Sequence, residues 1–160
     1  MSLGERDQRL KSVQIQFSLL APDLKKQYQV KKICVENNID FFAYSPLSFG
    51  ILCIDPDGDK KKENSFIRNI LFEKYKKPTY ELRSCLKKIA NQRSVSQAQV
   101  AINWCCYQGT IPLVGMRKKS QVIDVSNVFK WNLNKNEFNM LQEVSKNCFK
   151  KMPKNPFSSI

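Results

Sequence analysis

The sequence predicts an α/β fold, and three observations carry that prediction. Ser12 to Ser18 alternates apolar and polar residues with a period of two. Two short runs of β-formers, Ile39 to Tyr44 and Thr110 to Val114, have the apolar character of parallel strands covered on both faces. Amphipathic stretches of helical period follow each of them, and strand–helix alternation of this kind builds a parallel sheet. Three strands cannot close a barrel.

In the first strand Val13, Ile15 and Phe17 alternate with Gln14 and Gln16, so two polar side chains point the same way, toward a ligand or solvent. Leu24 to Asn37 is predicted helical, with Val30, Ile33 and Cys34 on one stripe and lysines on the other. Asn37-Asn38 ends it, because Asn tolerates the left-handed conformation of a helix C-terminus. After the second strand the pattern breaks. Residues 45–65 read as a long loop, with a turn-rich Asp55-Pro56-Asp57-Gly58-Asp59 and the solvated run Lys60 to Lys62. Helices are predicted from Phe66 to Tyr75 and from Tyr80 to Asn91, the second on a Leu82, Leu86, Ile89, Ala90 stripe. Ser96-Gln97-Ala98-Gln99 fits a capping box opening a helix that buries Val100, Ala101, Trp104 and Cys105, and Gly109 stops it. Ser120 to about Phe129 is a further helix. Asn134-x-x-Glu137 caps the last, which carries Phe138, Leu141, Val144 and Cys148.

The 160 residues amount to one domain, and 42% apolar with 26% charged residues is an ordinary globular composition. There is no histidine, so no imidazole base, Ser–His or Cys–His pair or His-ligated metal can be built from this chain alone. Net charge is +13, with 27 Lys and Arg against 14 Asp and Glu. The basic clusters, Lys60 to Lys62, Lys74 to Lys77 and Lys150 to Lys154, are scattered and lack Arg and aromatic platforms, so nucleic acid is not the expected partner. Six cysteines without a C-x-x-C pair read as reduced thiols. No run of 18 apolar residues predicts a membrane span, and the charged N-terminus shows no secretory signal, so a cytoplasmic protein is expected. Asp55, Asp57 and Asp59 with Gly58 hint at a Ca²⁺ loop, but no Glu stands at the twelfth position, so no metal site is expected.

In α/β folds ligands bind beyond the carboxyl ends of the strands. Tyr44-Ser45-Pro46-Leu47 follows one strand and Gly115-Met116-Arg117-Lys118-Lys119-Ser120 the next. The second stretch sets three cations and a hydroxyl at a helix start, where N–H groups favour an anion. Arg117 adds bidentate phosphate geometry, and Gly115 allows close backbone approach.

Five segments in order, Val13 to Leu20, Ala43 to Leu47, Ser96 to Trp104, Gln108 to Gly115 and Gln121-Val122, resemble aldo-keto reductases. The likeness is to the plant and bacterial branch that includes the potassium-channel β-subunits, and it covers roughly residues 3–145. It implies a partial (β/α)8 TIM barrel, strands six to eight with extra helices, over residues 1–149; the Lys-, Pro- and Ser-rich stretch 150–160 reads as a flexible tail. It also implies NADP(H) as cofactor and hydride transfer to a small-molecule carbonyl.

By position, Gln14 resembles the Gln that bonds the nicotinamide carboxamide, or is an exposed strand residue. Tyr44 resembles the aromatic stacked on the nicotinamide ring, or is a core Tyr. Ser45, Pro46 and Leu47 resemble the loop along the pyrophosphate. Gly115 and Arg117 resemble positions at the adenosine phosphates, where Arg117 would suit a 2′-phosphate. Gln121 and Asp124 match positions at the adenine end.

Two departures stand out: Val125 replaces an Asn that contacts adenine, and Asp55 replaces a Lys near the pyrophosphate. The family's Asp, Tyr, Lys and His lie on strands before the sixth, so no catalytic residue is assigned in this chain. The resemblance therefore predicts the cofactor-binding part of a reductase, inactive alone. A non-catalytic nucleotide- or partner-binding protein is the alternative. The open sheet edges imply a complementary barrel fragment or homo-oligomer as partner.

Overall fold

The computed structural model describes residues 10–20, 24–58 and 66–150. Strands β1 (Ser12–Gln16), β2 (Asp40–Tyr44) and β3 (Ile111–Leu113) form one parallel sheet in that order. The described residues hold six helices, α1 (Leu24–Glu36), α2 (Phe66–Lys76), α3 (Tyr80–Arg93), α4 (Gln97–Tyr107), α5 (Lys119–Ser126) and α6 (Lys135–Lys150), of which α1 packs on β2 and α4 on β3.

The register defines the two faces. Gln14, Phe42 and Ile111 form one cross-strand row, and Gln16, Tyr44 and Leu113 form the next. Side chains in a parallel register project to the same side, so these six share a face. On the opposite face Phe41 and Ala43 are buried, with Val13 and Ile15 packed beside them. Just past β1, Phe17 stacks on Trp104 of α4 with ring centroids 5.2 Å apart, and Phe138 of α6 stacks on Trp104 at 6.5 Å. The hydrophobic core therefore lies between the sheet and the helices.

Local chemistry explains the boundaries. Asn38 adopts φ 54 after α1, and the Asn37 side chain donates to the Ile33 carbonyl at 2.8 Å, which stops the helix. Asn134 and Glu137 form a reciprocal capping box: Glu137 N–H donates to Asn134 Oδ1 at 2.9 Å, and Asn134 N–H to Glu137 Oε2 at 2.8 Å. The helix expected to reach Phe129 ends earlier, at Ser126. The Ser126 hydroxyl and Asn127 amide both donate to the Ile123 carbonyl, in competition with the backbone ladder, and a 3-10 turn over Val128–Lys130 follows.

The expected 45–65 loop is partly wrong. Ser48–Cys53 forms 3-10 turns that bury Ser48, Ile51 and Leu52. Positive φ at Ser48, Phe49 and Gly50 bends the chain so that these apolar side chains turn inward. The Ser48 and Ser18 hydroxyls bond at 2.9 Å and tie this segment to the end of β1. The single buried stripe expected on α4 is also too narrow, because Gln99, Ile102 and Asn103 are buried as well. Asn103 donates to the Val128 and Trp131 carbonyls and accepts from Leu133 N–H, holding the segment before α6. Asp59, the Lys60 to Lys62 run and the tail beyond Lys150 lie outside the described residues.

Candidate functional site

At the carboxyl ends of β2 and β3 the chain encloses a cleft of about 510 Å³. Leu47 borders it from the loop after β2. Gly115, Met116, Gln121, Asp124 and Val125 border it from the loop after β3 and from α5, and α3 and α4 supply Lys87, Asn91, Ser96 and Gln97. Of the residues singled out in the sequence, Leu47, Gly115, Gln121 and Asp124 meet here, although they span 78 positions of sequence from 47 to 124.

The loop after β3 is shaped by Gln121. Its Oε1 accepts the Arg117 N–H at 2.8 Å and the Lys118 N–H at 3.0 Å. Two of the N–H groups expected to greet an anion are thus already bonded to the protein. At Gly115 an added Cβ would meet nothing within 4 Å, so the fold's own packing does not require glycine there. Arg117 is exposed and is not a wall residue of the cleft.

Asp124 is fixed by two polar groups. Ser96 Oγ donates to Asp124 Oδ2 at 2.6 Å, and Gln99 Nε2 donates to Asp124 Oδ1 at 2.6 Å. Gln99 Oε1 in turn accepts from Trp131 Nε1 at 3.1 Å. The expected capping box is therefore half formed. Ser96 Oγ accepts the Gln99 N–H at 3.1 Å, but the Gln99 amide turns to Asp124 and Trp131 instead of returning to the cap.

The loop after β2 divides. Ser45 takes φ 53 and its carbonyl accepts from Ser48 N–H at 2.9 Å, while Pro46 is buried. Ser45 and Pro46 thus build the turn, and of the three only Leu47 reaches the cleft wall. Gln14 and Tyr44 lie on the shared sheet face, in adjacent rows of adjacent strands. Both are exposed on this open face, Tyr44 to 39%. Gln16 differs: it is buried, and its carbonyl accepts from Gln27 Nε2.

Lys87 on the cleft wall and the buried Arg83 went unseen in the sequence. Lys87 lies 2.7 Å from Asp55 Oδ1 and 3.1 Å from Asp57 Oδ2. Those hydrogen bonds, with the Asp57 N–H, hold the Asp55 carboxyl below the ordinary carboxylate range, and the two carboxylates raise Lys87. Asp55 and Asp57, two of the carboxylates considered for a Ca²⁺ loop, thus bind an ammonium. Arg83 is fully buried and donates to the carbonyls of Ile54, Asp55 and Lys76. An Arg among Leu82, Cys85 and Leu86 is a sequence signal for a buried carbonyl clamp. Lys87 has no such signal among 21 lysines.

The model of the aldo/keto reductase family matches residues 4–146. The chain belongs to the aldo/keto reductase family. It is 34% identical over 157 residues to the chloroplastic pyridoxal reductase of Arabidopsis thaliana, covering 98% of this chain and 42% of that protein. Its fold superposes on the thermostable aldo-keto reductase Tm1743, solved with the inhibitor epalrestat, at a TM-score of 0.59 and 13% identity, over 83% of this chain and 39% of that one. A Gox0644 mutant in complex with NADPH gives a TM-score of 0.56 at 19% identity, over 84% of this chain and 38% of that one. The chain thus spans about two-fifths of the length of the aldo/keto reductases it matches. Its three-stranded parallel sheet is part of a (β/α)8 barrel, as these solved aldo-keto reductases indicate. Among the described residues no helix is long and apolar enough to cross a membrane. None of the six cysteines forms a disulfide, and Cys34, Cys85, Cys105 and Cys148 are buried.

Proposed function

We propose that this chain is the NADP(H)-holding, C-terminal part of an aldo/keto reductase-like oxidoreductase whose full barrel reduces a small carbonyl. The observation that carries the reading is the meeting of Leu47, Gly115, Gln121 and Asp124 around one cleft at the strand carboxyl ends. Gln14 and Tyr44 stand on the adjoining open sheet face.

The residues fit the cofactor. The cleft has room for the adenosine end of a dinucleotide, and Gly115 faces space that the protein does not fill. Gln121 offers its amide, and Arg117 and Lys118 add positive charge to the loop between the wall residues Met116 and Gln121. Toward the nicotinamide end, Tyr44 supplies a ring face for stacking and Gln14 an amide to pair with a carboxamide. The cofactor, when bound, supplies the hydride. This chain's part is to hold and orient it, and no residue here is assigned the proton transfer, in keeping with the absence of histidine.

The similarity to a pyridoxal reductase makes an aromatic aldehyde the first carbonyl to try with the full barrel. Exposed Ile111 and Leu113 on the same face as Tyr44 support pairing with a complementary barrel part or a second copy. Six cysteines outside any disulfide suit a reducing compartment such as the cytoplasm.

One observation favours the second reading, a nucleotide- or partner-binding protein without catalysis. The Asp124 carboxylate is already engaged by Ser96 and Gln99, and Val125 stands on the wall where an amide would meet adenine. Adding NADPH while following Trp104 and Trp131 emission tests cofactor binding. Adding the missing barrel strands with pyridoxal as substrate then separates the two readings, since only the first predicts turnover.

A further inference from the structure

Lys87 has an unusual place in the cleft. The charged side chains on the wall are Asp55, Lys87 and Asp124, so Lys87 is the cation among the described wall residues. Its ammonium is bonded to Asp55 and, at 3.1 Å, to Asp57, whose other oxygen accepts from the Tyr80 hydroxyl. The turn carrying both carboxylates is built firmly. Asp57 N–H donates to Asp55 Oδ1 at 2.9 Å, and a Cβ on Gly58 would come within 2.9 Å of Asp55 Cβ. From below, Arg83 donates to the Ile54 and Asp55 carbonyls, and Gln97 donates to those of Leu52 and Ile54.

We infer that Lys87 is the anion-binding residue of this cleft, and that Asp55 and Asp57 hold it on the wall and compete with the ligand's diphosphate for it. The inference rests on the dinucleotide reading and adds a residue that reading does not assign. An ammonium has three donors, and two are engaged here, so one remains for a phosphate oxygen. The ion pairs are solvated, with side chains 31% to 62% exposed, and contacts of that kind exchange readily. A diphosphate brings more negative charge than either carboxylate and draws the ammonium toward itself. The two carboxylates consequently lower the affinity of the cleft for anions, and Asp55, which lines it, does so most.

If the pair only ties the turn to α3, removing Asp55 loosens the turn and does not tighten binding. The test is to add inorganic pyrophosphate, and separately NADPH, to the full chain and to its Asp55→Asn, Lys87→Met, Lys87→Arg and Asp55→Asn/Lys87→Met variants. Tryptophan emission and Tm are the readouts. The inference predicts that Asp55→Asn binds both anions about fivefold tighter, a change of the size that exposed ion pairs contribute. Lys87→Met binds several-fold weaker, Lys87→Arg retains binding, and the double variant is no tighter than Lys87→Met. If the parent chain binds NADPH but Asp55→Asn is not tighter, or Lys87→Met binds equally well, the inference is overturned and the dinucleotide reading stands. Pyrophosphate binding that needs Lys87, without NADPH binding, leaves the anion site and overturns the dinucleotide reading. Binding of neither anion by any variant overturns both.

Discussion

Ser96 and Asp124, 28 positions apart in sequence, are joined by a 2.6 Å hydrogen bond that ties the start of α4 to α5 at the wall of the cleft. With the Gln99 bond to the other carboxylate oxygen, it makes Asp124 a fixed part of the site. Replacing Asp124 by Ala leaves two polar partners without an acceptor, at a cost of about 1–3 kcal/mol. Asp124→Asn keeps one carbonyl acceptor and costs less. Urea unfolding should show a lower midpoint with an unchanged m-value for both, in that order.

Glu137 makes a second prediction, about pH. Burial alone would raise its carboxyl, but the Arg93 guanidinium and the Asn134 N–H outweigh burial and hold it below the ordinary value of 4.5. The Arg93 bonds are both 2.9 Å. A depressed folded-state pKa contributes stability that is fully present above the unfolded value and is lost as pH falls through the folded one. The chain should therefore lose stability progressively as pH drops below about 4.5. Glu137→Gln should cost about 1 kcal/mol at neutral pH and flatten this dependence, as Tm measured from pH 7 to pH 3 would show. An equally steep acid limb in the variant would mean that other carboxylates dominate.

Ile51 tests the segment that the sequence misread. It is completely buried in the 3-10 turns, whereas a loop residue would be solvated. Ile51→Ala should destabilise the chain by about 2–4 kcal/mol through the cavity it leaves. A change under 0.5 kcal/mol would put Ile51 on the surface.

Self-association is the fourth prediction. The edges of β1 and β3 lack a strand neighbour among the described residues, and the face carrying Tyr44, Ile111 and Leu113 is exposed. The isolated chain should aggregate or pair with a complementary barrel fragment. Charge at that face, as in Ile111→Lys with Leu113→Lys, should shift its light-scattering mass toward the monomer. A parent chain that is monomeric and melts cooperatively and reversibly would contradict this.

The sheet was legible because its signals are local. The alternation of Val13, Ile15 and Phe17 against two glutamines, and the short apolar run ending at Tyr44, need no tertiary context. So were the caps at Asn38 and Asn134, where side-chain chemistry acts within four residues. The gathering of Leu47, Gly115, Gln121 and Asp124 followed from resemblance, because the segments between them had to fold before the four could meet. Ser48–Cys53 was not legible, since its inward turn depends on positive φ at non-glycine residues and on a hydroxyl pair with Ser18. Nor was Lys87, which is set apart from other lysines only by carboxylates 30 and 32 positions away.

Whether the cleft holds a nicotinamide dinucleotide is tested most directly at Gly115. An added Cβ there meets nothing within 4 Å, so Gly115→Val should fold as the parent does while filling space the ligand needs. NADPH added to both proteins, followed by tryptophan quenching and Tm, should quench and stabilise the parent and leave Gly115→Val unchanged. No quenching and no Tm rise in the parent, or equal binding by the variant, would contradict the account.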